Sequence, residues 1–325
     1  MDTEGLQLAL TNLTSPPVLA FVLGLLAVAI GTDLRLPDPV YQAVSIYLLL
    51  AIGIKGGVAL RESNIADAAA PIAITLVLGV LTPLLAFVVL KALTPLNIID
   101  RGAMAAHYGS TSLVTFTSAI VFLEAADVTY EGFVTTLLTL LEIPGIIVGL
   151  LLATRGASPR PPLGESIREV ITGRSIMLLV GGLVIGYATG PTGYARVEPF
   201  FGALFTGVLT LFLLELGILA GRRLGDVRQV GWGLVVFAVG FPVVVGSIGV
   251  ISGLAVGMST GGATLLGVLV ASASYIAAPA AVRLALPEAN PGISLTSSLG
   301  ITFPFNLVVG IPLYYVIAQQ LSTMF

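Results

Sequence analysis

Long apolar runs, separated by short polar or proline-containing breaks, follow one another from end to end of the chain. A helix that crosses a hydrocarbon layer about 30 Å thick needs about 20 such residues, and most of these runs reach that length. The pattern predicts ten spans, at residues 16–31, 39–60, 69–91, 103–124, 131–153, 175–190, 198–221, 230–252, 261–286 and 295–320. We therefore expect an all-α, polytopic membrane protein with about ten transmembrane helices.

Composition supports this interpretation, because only 10% of the 325 residues are charged. Soluble domains carry about 25% charged residues, so this surface must face the lipid bilayer over most of its area. The net charge of −3 gives no indication of a nucleic-acid partner. With no cysteine and a single histidine, the chain lacks the ligands of a transition-metal site, and we expect none.

The basic residues predict the orientation in the membrane. The most hydrophilic stretch, Arg155–Arg174, separates two groups of five spans and contains four arginines. If both termini lie outside, eleven of the 14 Lys and Arg residues fall in cytoplasmic loops. Since such loops carry an excess of Lys and Arg, we expect both termini outside and the arginine-rich loop in the cytoplasm.

The two groups of spans also resemble each other. Leu49–Leu60 (LLAIGIKGGVAL) and Leu213–Leu224 (LLELGILAGRRL) share six of twelve residues at an offset of 164, including two glycines. Because five is an odd number, the second group must be inverted in the membrane relative to the first. Inverted repeats are typical of secondary transporters, so we predict a first repeat at 1–160 and a second, inverted repeat at 161–325.

Hydroxyl-rich interruptions occur in the fourth and ninth spans, at His107–Ser112 and Ala271–Tyr275. Ser110 and Ser274 within them are again 164 residues apart. A helix that starts at such a break exposes backbone N–H groups equivalent to about half a positive charge. Two broken helices that meet there would bind a small anion, although Ser and Thr can also simply permit close helix packing.

Kinked spans supply candidates for a cation site. Glu142 lies in the middle of the fifth span, two residues before Pro144, and Thr302 occupies the matching place before Pro304 in the tenth span. Carboxylate, hydroxyl and freed carbonyl oxygens suit a hard cation such as Na⁺. The candidate sodium-binding residues are Glu142, Thr302, Asn306 and, as a minority interpretation beside an interfacial role, Asp100. The alternative for Glu142 is a carboxylate that is hydrogen-bonded inside the bundle.

Four segments give a family resemblance: HYGSTSLVTFTSA (107–119), TLLEIPGIIVGLLL (139–152), ASASYIAAPAAVRLALPEANP (271–291) and GITFPFNL (300–307). Together they resemble the bacterial sodium-dependent bicarbonate transporter family. The resemblance implies Na⁺–bicarbonate symport on a five-plus-five inverted-repeat fold in the bacterial inner (cytoplasmic) membrane. It also implies a homotrimer and a PII-like regulator on the cytoplasmic face. It places the substrate between the broken helices, at Ser110, Thr111, Ser112, Ser272, Ala273 and Ser274.

Two alternatives remain open from the residues alone. A transporter of a different small anion would show the same features, because a site made of helix ends does not identify its ligand. A membrane-embedded serine enzyme would need a histidine from another helix, whereas His107 lies in the same segment as Ser110. We therefore expect a sodium-coupled transporter by alternating access, with no enzyme activity, no organic cofactor and Na⁺ as the coupling ion.

Overall fold

The computed structural model describes residues 12–32, 34–154, 163–226 and 231–324, and the regular structure in these ranges is entirely helical. The helices are α1 (Pro16–Ala29), α2 (Asp38–Glu62), α3 (Ile65–Leu93), α4 (Ile98–Gly109), α5 (Leu113–Ala125), α6 (Val134–Ala153), α7 (Leu163–Ile171), α8 (Arg174–Tyr194), α9 (Phe205–Leu224), α10 (Trp232–Ala255), α11 (Thr260–Ala271), α12 (Ala277–Ala285) and α13 (Pro291–Leu321). A π-helical turn, Pro199–Ala203, precedes α9.

Seven continuous helices in the described ranges are long and apolar enough to cross a membrane. The first span, α1, is apolar but has only 14 residues. The fourth and ninth spans are each divided into two helices, α4 with α5 and α11 with α12. The structure thus confirms the all-α polytopic prediction, and both breaks fall in the hydroxyl-rich segments.

The breaks follow from local chemistry. Gly109 ends α4, Ser110 and Ser112 are extended, and the Ser112 side chain caps the start of α5. Serine favours such a cap because its hydroxyl satisfies a backbone N–H that has no partner inside the helix. In the ninth span Ser272 is extended after α11, and Pro279 lies in the first turn of α12, where a missing N–H does no harm.

Proline also shapes the last span. In α13, π-helical segments at Thr296–Thr302 and Asn306–Gly310 flank the short α-helical piece that contains Pro304. A proline inside a helix removes one hydrogen bond and crowds the carbonyl four residues earlier, and a local widening relieves that clash. By contrast, α6 accommodates Pro144 within one continuous α-helix.

Four helices, α1, α2, α8 and α9, pack as two close pairs, α1 along α9 and α2 along α8. Glycines set the distance between them. A Cβ atom on Gly217 would lie 2.1 Å from Phe21 O, and one on Gly53 would lie 2.7 Å from Leu179 O. Small residues allow such backbone contact between membrane helices, and we call these four helices the four-helix group.

The remaining spans, α3 to α6 and α10 to α13, form a second group, which we call the six-span group. Within it α4 packs on α6, α3 packs on both of them, and α11 packs between α10 and α13. The two groups meet where α9 contacts α13, where α2 contacts α6, and where the rings of Phe21 and Phe303 lie 5.4 Å apart. The short helix α7 packs on α12. Three of the arginines that predict the orientation in the membrane, Arg155, Arg160 and Arg228, lie outside the described residues.

Candidate functional site

The two helix breaks lie against each other and are joined by direct hydrogen bonds. The backbone N–H of Ser112 donates to Ser272 Oγ (2.9 Å). The backbone N–H of Ser274 donates to His107 O (2.8 Å), and His107 Nδ1 donates to Ser274 O (2.7 Å), since a carbonyl can only accept. All four residues are buried. Segments about 160 residues apart in sequence therefore form one connected unit.

A small cavity of about 20 Å³ lies at this unit, and we call it the central cavity. Its wall includes the start of α5 (Thr111 to Leu113) and the start of α12 (Ser274 to Ala277). Both helix N-termini, with their partial positive charges, therefore open into the same space. A volume of this size holds about one water molecule, so the cavity must widen to admit a larger anion.

The four-helix group closes one side of the central cavity, through Leu49 of α2 and Ser175 and Leu179 of α8. The helix breaks and α6 belong to the six-span group. A displacement of one group relative to the other would therefore change the size of the cavity. Separate bodies on the two sides of a binding site are the arrangement that alternating access requires.

Glu142 of α6 also lines the central cavity. Its side chain is only 5% exposed, and it forms no hydrogen bond or ion pair with any residue that the structure describes. A buried carboxylate without a partner is costly, because both oxygens lose water and gain nothing in return. Its position facing the cavity indicates a group that binds a ligand.

The hydroxyls of the breaks divide into two kinds. Thr111 lines the cavity and has no partner among the described residues, and Ser274 lines it with only its oxygen engaged, accepting from Ala278 N (3.1 Å). Both can donate to an anion. In contrast, Ser112 Oγ is saturated by Thr115 and Tyr275, and Ser272 Oγ donates to a backbone carbonyl. Ser112 and Ser272 hold the breaks together.

The other two candidate substrate residues do not line the central cavity. Ser110 is buried, and its hydroxyl has no hydrogen-bond partner among the described residues. Ala273 is 2% exposed and offers no polar side chain. The structure thus brings Thr111, Ser112 and Ser274 to the cavity with Ser272 directly behind them, and it places Ser110 and Ala273 outside its wall.

Among the candidate sodium ligands, the structure places Glu142 alone at the central cavity. Thr302 Oγ1 donates to Ala238 O (2.6 Å) and accepts from Tyr108 Oη (2.7 Å). The Asn306 amide donates to Ala271 O (2.9 Å), so it stabilises the end of α11. The kinks at Pro144 and Pro304 predicted that Glu142 and Thr302 lie at equivalent places along their spans. They do not specify the direction in which either side chain points.

Asp100 also lies away from the central cavity. It lies in the first turn of α4, where its carboxylate accepts from Asn97 Nδ2 and from the backbone N–H of Asn290 (2.8 Å each). Asp100 forms no ion pair with the neighbouring Arg101 among the described residues, and the Arg101 guanidinium lies over the Phe87 ring. Asp100 therefore joins two segments of the six-span group.

Two polar residues at the central cavity were not predicted from the sequence. Tyr275 directly follows Ser274 in the second break, so its place in that hydroxyl-rich segment could have identified it from the sequence. Ser175 lies at the start of α8, in a span with no other sign of function. Only the packing of the two helix groups brings it to the site.

A larger cavity of about 310 Å³ continues from the central cavity to the end of the bundle where α2 and α8 begin, and we call it the vestibule. The two share four residues of their walls: Leu49, Ser175, Ile276 and Ala277. At the opposite end, Lys55 of α2 forms an ion pair with Glu124 of α5 (3.6 Å) across the two helix groups. The central cavity shares wall residues with the vestibule and none with the cavity of about 120 Å³ that Lys55 lines at the opposite end.

A protein-family model described as the Na⁺-dependent bicarbonate transporter superfamily matches residues 16–319, which include both breaks and Glu142. No curated protein is similar enough to the chain to count as a match.

Proposed function

This chain belongs to the Na⁺-dependent bicarbonate transporter superfamily, and from that premise we propose that it imports bicarbonate with Na⁺ by alternating access. The membership confirms three predictions from the sequence: the family, a transporter rather than an enzyme, and Na⁺ as the coupling ion. What we propose beyond the family membership is that symport takes place at the central cavity. The observation that carries it is the unpartnered Glu142 facing two helix N-termini in one cavity.

The charges at this cavity provide a mechanism for coupling. Two helix ends contribute about one positive charge, which an ionised Glu142 offsets. A bicarbonate approaching without Na⁺ therefore meets no net attraction. Once Na⁺ binds at the Glu142 carboxylate, the helix ends and the Thr111 and Ser274 hydroxyls become available to the anion.

Na⁺ also removes the opposition of the membrane potential. A potential of 100 mV, negative inside, opposes the entry of one negative charge by about 2.3 kcal/mol. Cotransport of Na⁺ makes the pair neutral, so the Na⁺ concentration gradient can drive accumulation. This reasoning requires both ions to cross in one step, as in a symporter.

The packing within the four-helix group supports an inverted repeat at 1–160 and 161–325. Gly53 and Gly217, which correspond at the offset of 164, occupy equivalent contacts. Gly53 of α2 lies against α8, and Gly217 of α9 lies against α1. An inverted repeat that relates α1 to α8 and α2 to α9 converts one contact into the other, as expected for alternating access.

From the bias of Lys and Arg we propose that the vestibule faces the cytoplasm and that both termini lie outside. The bacterial inner membrane is proposed from the family resemblance in the sequence. In that orientation the vestibule opens toward the cytoplasm, and the Lys55–Glu124 ion pair links the two helix groups on the outer side. A homotrimer and a cytoplasmic PII-like regulator remain proposals that rest on the family resemblance in the sequence.

The decisive experiment is uptake of ¹⁴C-bicarbonate into proteoliposomes with an inward Na⁺ gradient or with choline instead. We expect accumulation above equilibrium with Na⁺ only, and bicarbonate-dependent entry of ²²Na⁺. Equal bicarbonate uptake in choline would overturn the symport proposal. Competition by nitrate or chloride tests the alternative that another small anion is carried, because the better substrate inhibits at the lower concentration.

A further inference from the structure

The vestibule has two walls of different chemistry. On one side, α12 of the six-span group contributes the small residues Ala277, Ala280 and Ala281. On the other side, α2 and α8 of the four-helix group contribute polar and cationic residues, among them Gln42, Ser45 and Arg174. None of the described residues that line the vestibule is acidic. The space therefore favours a negatively charged solute.

The start of α8 supplies unpaired donors. The first backbone bond of this 21-residue helix runs from Met177 N to Gly173 O, so the N–H groups of the three residues before Met177 have no partner within it. Gly173 at the N-cap has no side chain that could occupy them. Arg174 is exposed to the vestibule and forms no ion pair with a described residue.

A second observation comes from α2. Ser45 is 9% exposed, lines the vestibule and has no hydrogen-bond partner among the described residues. An unpartnered hydroxyl that faces a polar cavity is free to donate to a solute there. Ser45 belongs to a different helix from Arg174, and it reaches the same space independently of the α8 N-terminus.

Two carboxylates of α2 and α9 near this space are already occupied. Asp38, in the first turn of α2, pairs with Arg35. Glu215 accepts a hydrogen bond from Leu36 N (2.8 Å) and lies 3.9 Å from the Arg35 guanidinium. Neither competes with a solute for Arg174.

We propose that the vestibule contains a second anion site, formed by Arg174, the α8 N-terminus and Ser45, where bicarbonate rests between the central cavity and the aqueous end of the bundle. The identification of its anion as bicarbonate rests on the proposed function. It does not need Na⁺, because Arg174 supplies the positive charge that the central cavity obtains from the cation.

Site-specific labelling tests the proposal without any transport measurement. The chain has no cysteine, so Ala280→Cys gives one thiol on an exposed position of the vestibule wall. Purified protein is treated with an anionic or a cationic methanethiosulfonate, with rates normalised to a free thiol. The buffer contains potassium bicarbonate or potassium gluconate at equal ionic strength and no Na⁺, which leaves the central site unfilled under the symport mechanism.

We expect the anionic reagent to react about 3- to 10-fold faster than the cationic one, and bicarbonate to slow its reaction. Arg174→Gln should strongly reduce both effects and Arg174→Lys should retain most of the preference. Arg222→Gln, an exposed arginine at the end of α9, is the matched control and should change neither. Ser45→Ala should weaken protection by bicarbonate without removing the charge preference.

Unchanged rates in Arg174→Gln, or equal rates in bicarbonate and gluconate, would overturn the second site. Each variant is first checked to elute from a size-exclusion column as a single folded species. If Arg174→Gln does not fold, Ser45→Ala gives an independent answer. Failure of Na⁺-driven uptake would leave this result intact, because labelling is measured without Na⁺. The two proposals can therefore fail separately.

Discussion

The two helix breaks correspond in sequence but differ in structure. The first spans three residues, and Ser112 caps its own helix through Thr115. The second spans five residues, and α12 receives its cap from Ser274, two residues before the N-cap position. The first break nevertheless presents the Thr111 hydroxyl to the central cavity with a free proton, and the second presents those of Ser274 and Tyr275. The comparison teaches that position in a motif does not determine which hydroxyl meets the ligand.

The largest effect is expected at Glu142, which faces both breaks. Glu142→Gln removes the charge that we propose holds Na⁺, and loss of a charge-assisted contact costs about 1.5–3 kcal/mol. The Na⁺ concentration for half-maximal uptake should rise by about 10- to 100-fold, with little change in bicarbonate KM at saturating Na⁺. Uptake is measured against Na⁺ at fixed bicarbonate. Glu215→Gln alters another buried membrane carboxylate and serves as the control. Superimposable Na⁺ curves would show that Glu142 is structural.

The second largest effect is expected at two of the hydroxyls that face the central cavity, those of Thr111 and Ser274. Thr111→Val and Ser274→Ala should each raise the bicarbonate KM by about tenfold, because each removes a donor to an anion worth about 1.5 kcal/mol. The Na⁺ dependence should change less than in Glu142→Gln. Concentration curves of ¹⁴C-bicarbonate uptake at saturating Na⁺ give the answer. An effect at only one position would mean that the two breaks contribute unequally.

A smaller and different effect is expected at Ser112. Its hydroxyl caps α5 and accepts from Thr115, so Ser112→Ala should lower stability by about 1 kcal/mol. The bicarbonate KM should stay close to the wild-type value in the protein that remains folded. A thermal-shift assay in detergent measures the first quantity and uptake measures the second. A large rise in KM with unchanged thermal stability would instead place Ser112 among the anion donors.

The smallest effect is expected at Ser110, although the family resemblance assigned it to the substrate site. Its buried hydroxyl has no partner among the described residues and lies outside the cavity wall. Ser110→Ala removes an unsatisfied polar group and should be neutral or slightly stabilising. Thermal stability and the bicarbonate KM are compared with those of Ser274→Ala, its counterpart in the second break. A KM increase as large as that of Ser274→Ala would contradict this assignment.

The sequence by itself determined the number and order of the spans, the location of both breaks and the family. These features are local: an apolar run of sufficient length crosses a bilayer wherever it packs, and a cluster of glycine and hydroxyl residues interrupts a helix in any context. Glu142 was recognisable for the same reason, since a carboxylate inside an apolar span is costly and indicates function.

Only the tertiary structure decided which side chains meet. Thr302, Asn306 and Asp100 use their polar atoms in contacts between helices and loops, whereas Tyr275 and Ser175 reach the central cavity. In a soluble helix the polar face reveals its orientation, but here the lipid-facing and buried faces are both apolar. The rotation of each helix, and with it the direction of each side chain, therefore depends on the packing of the two groups.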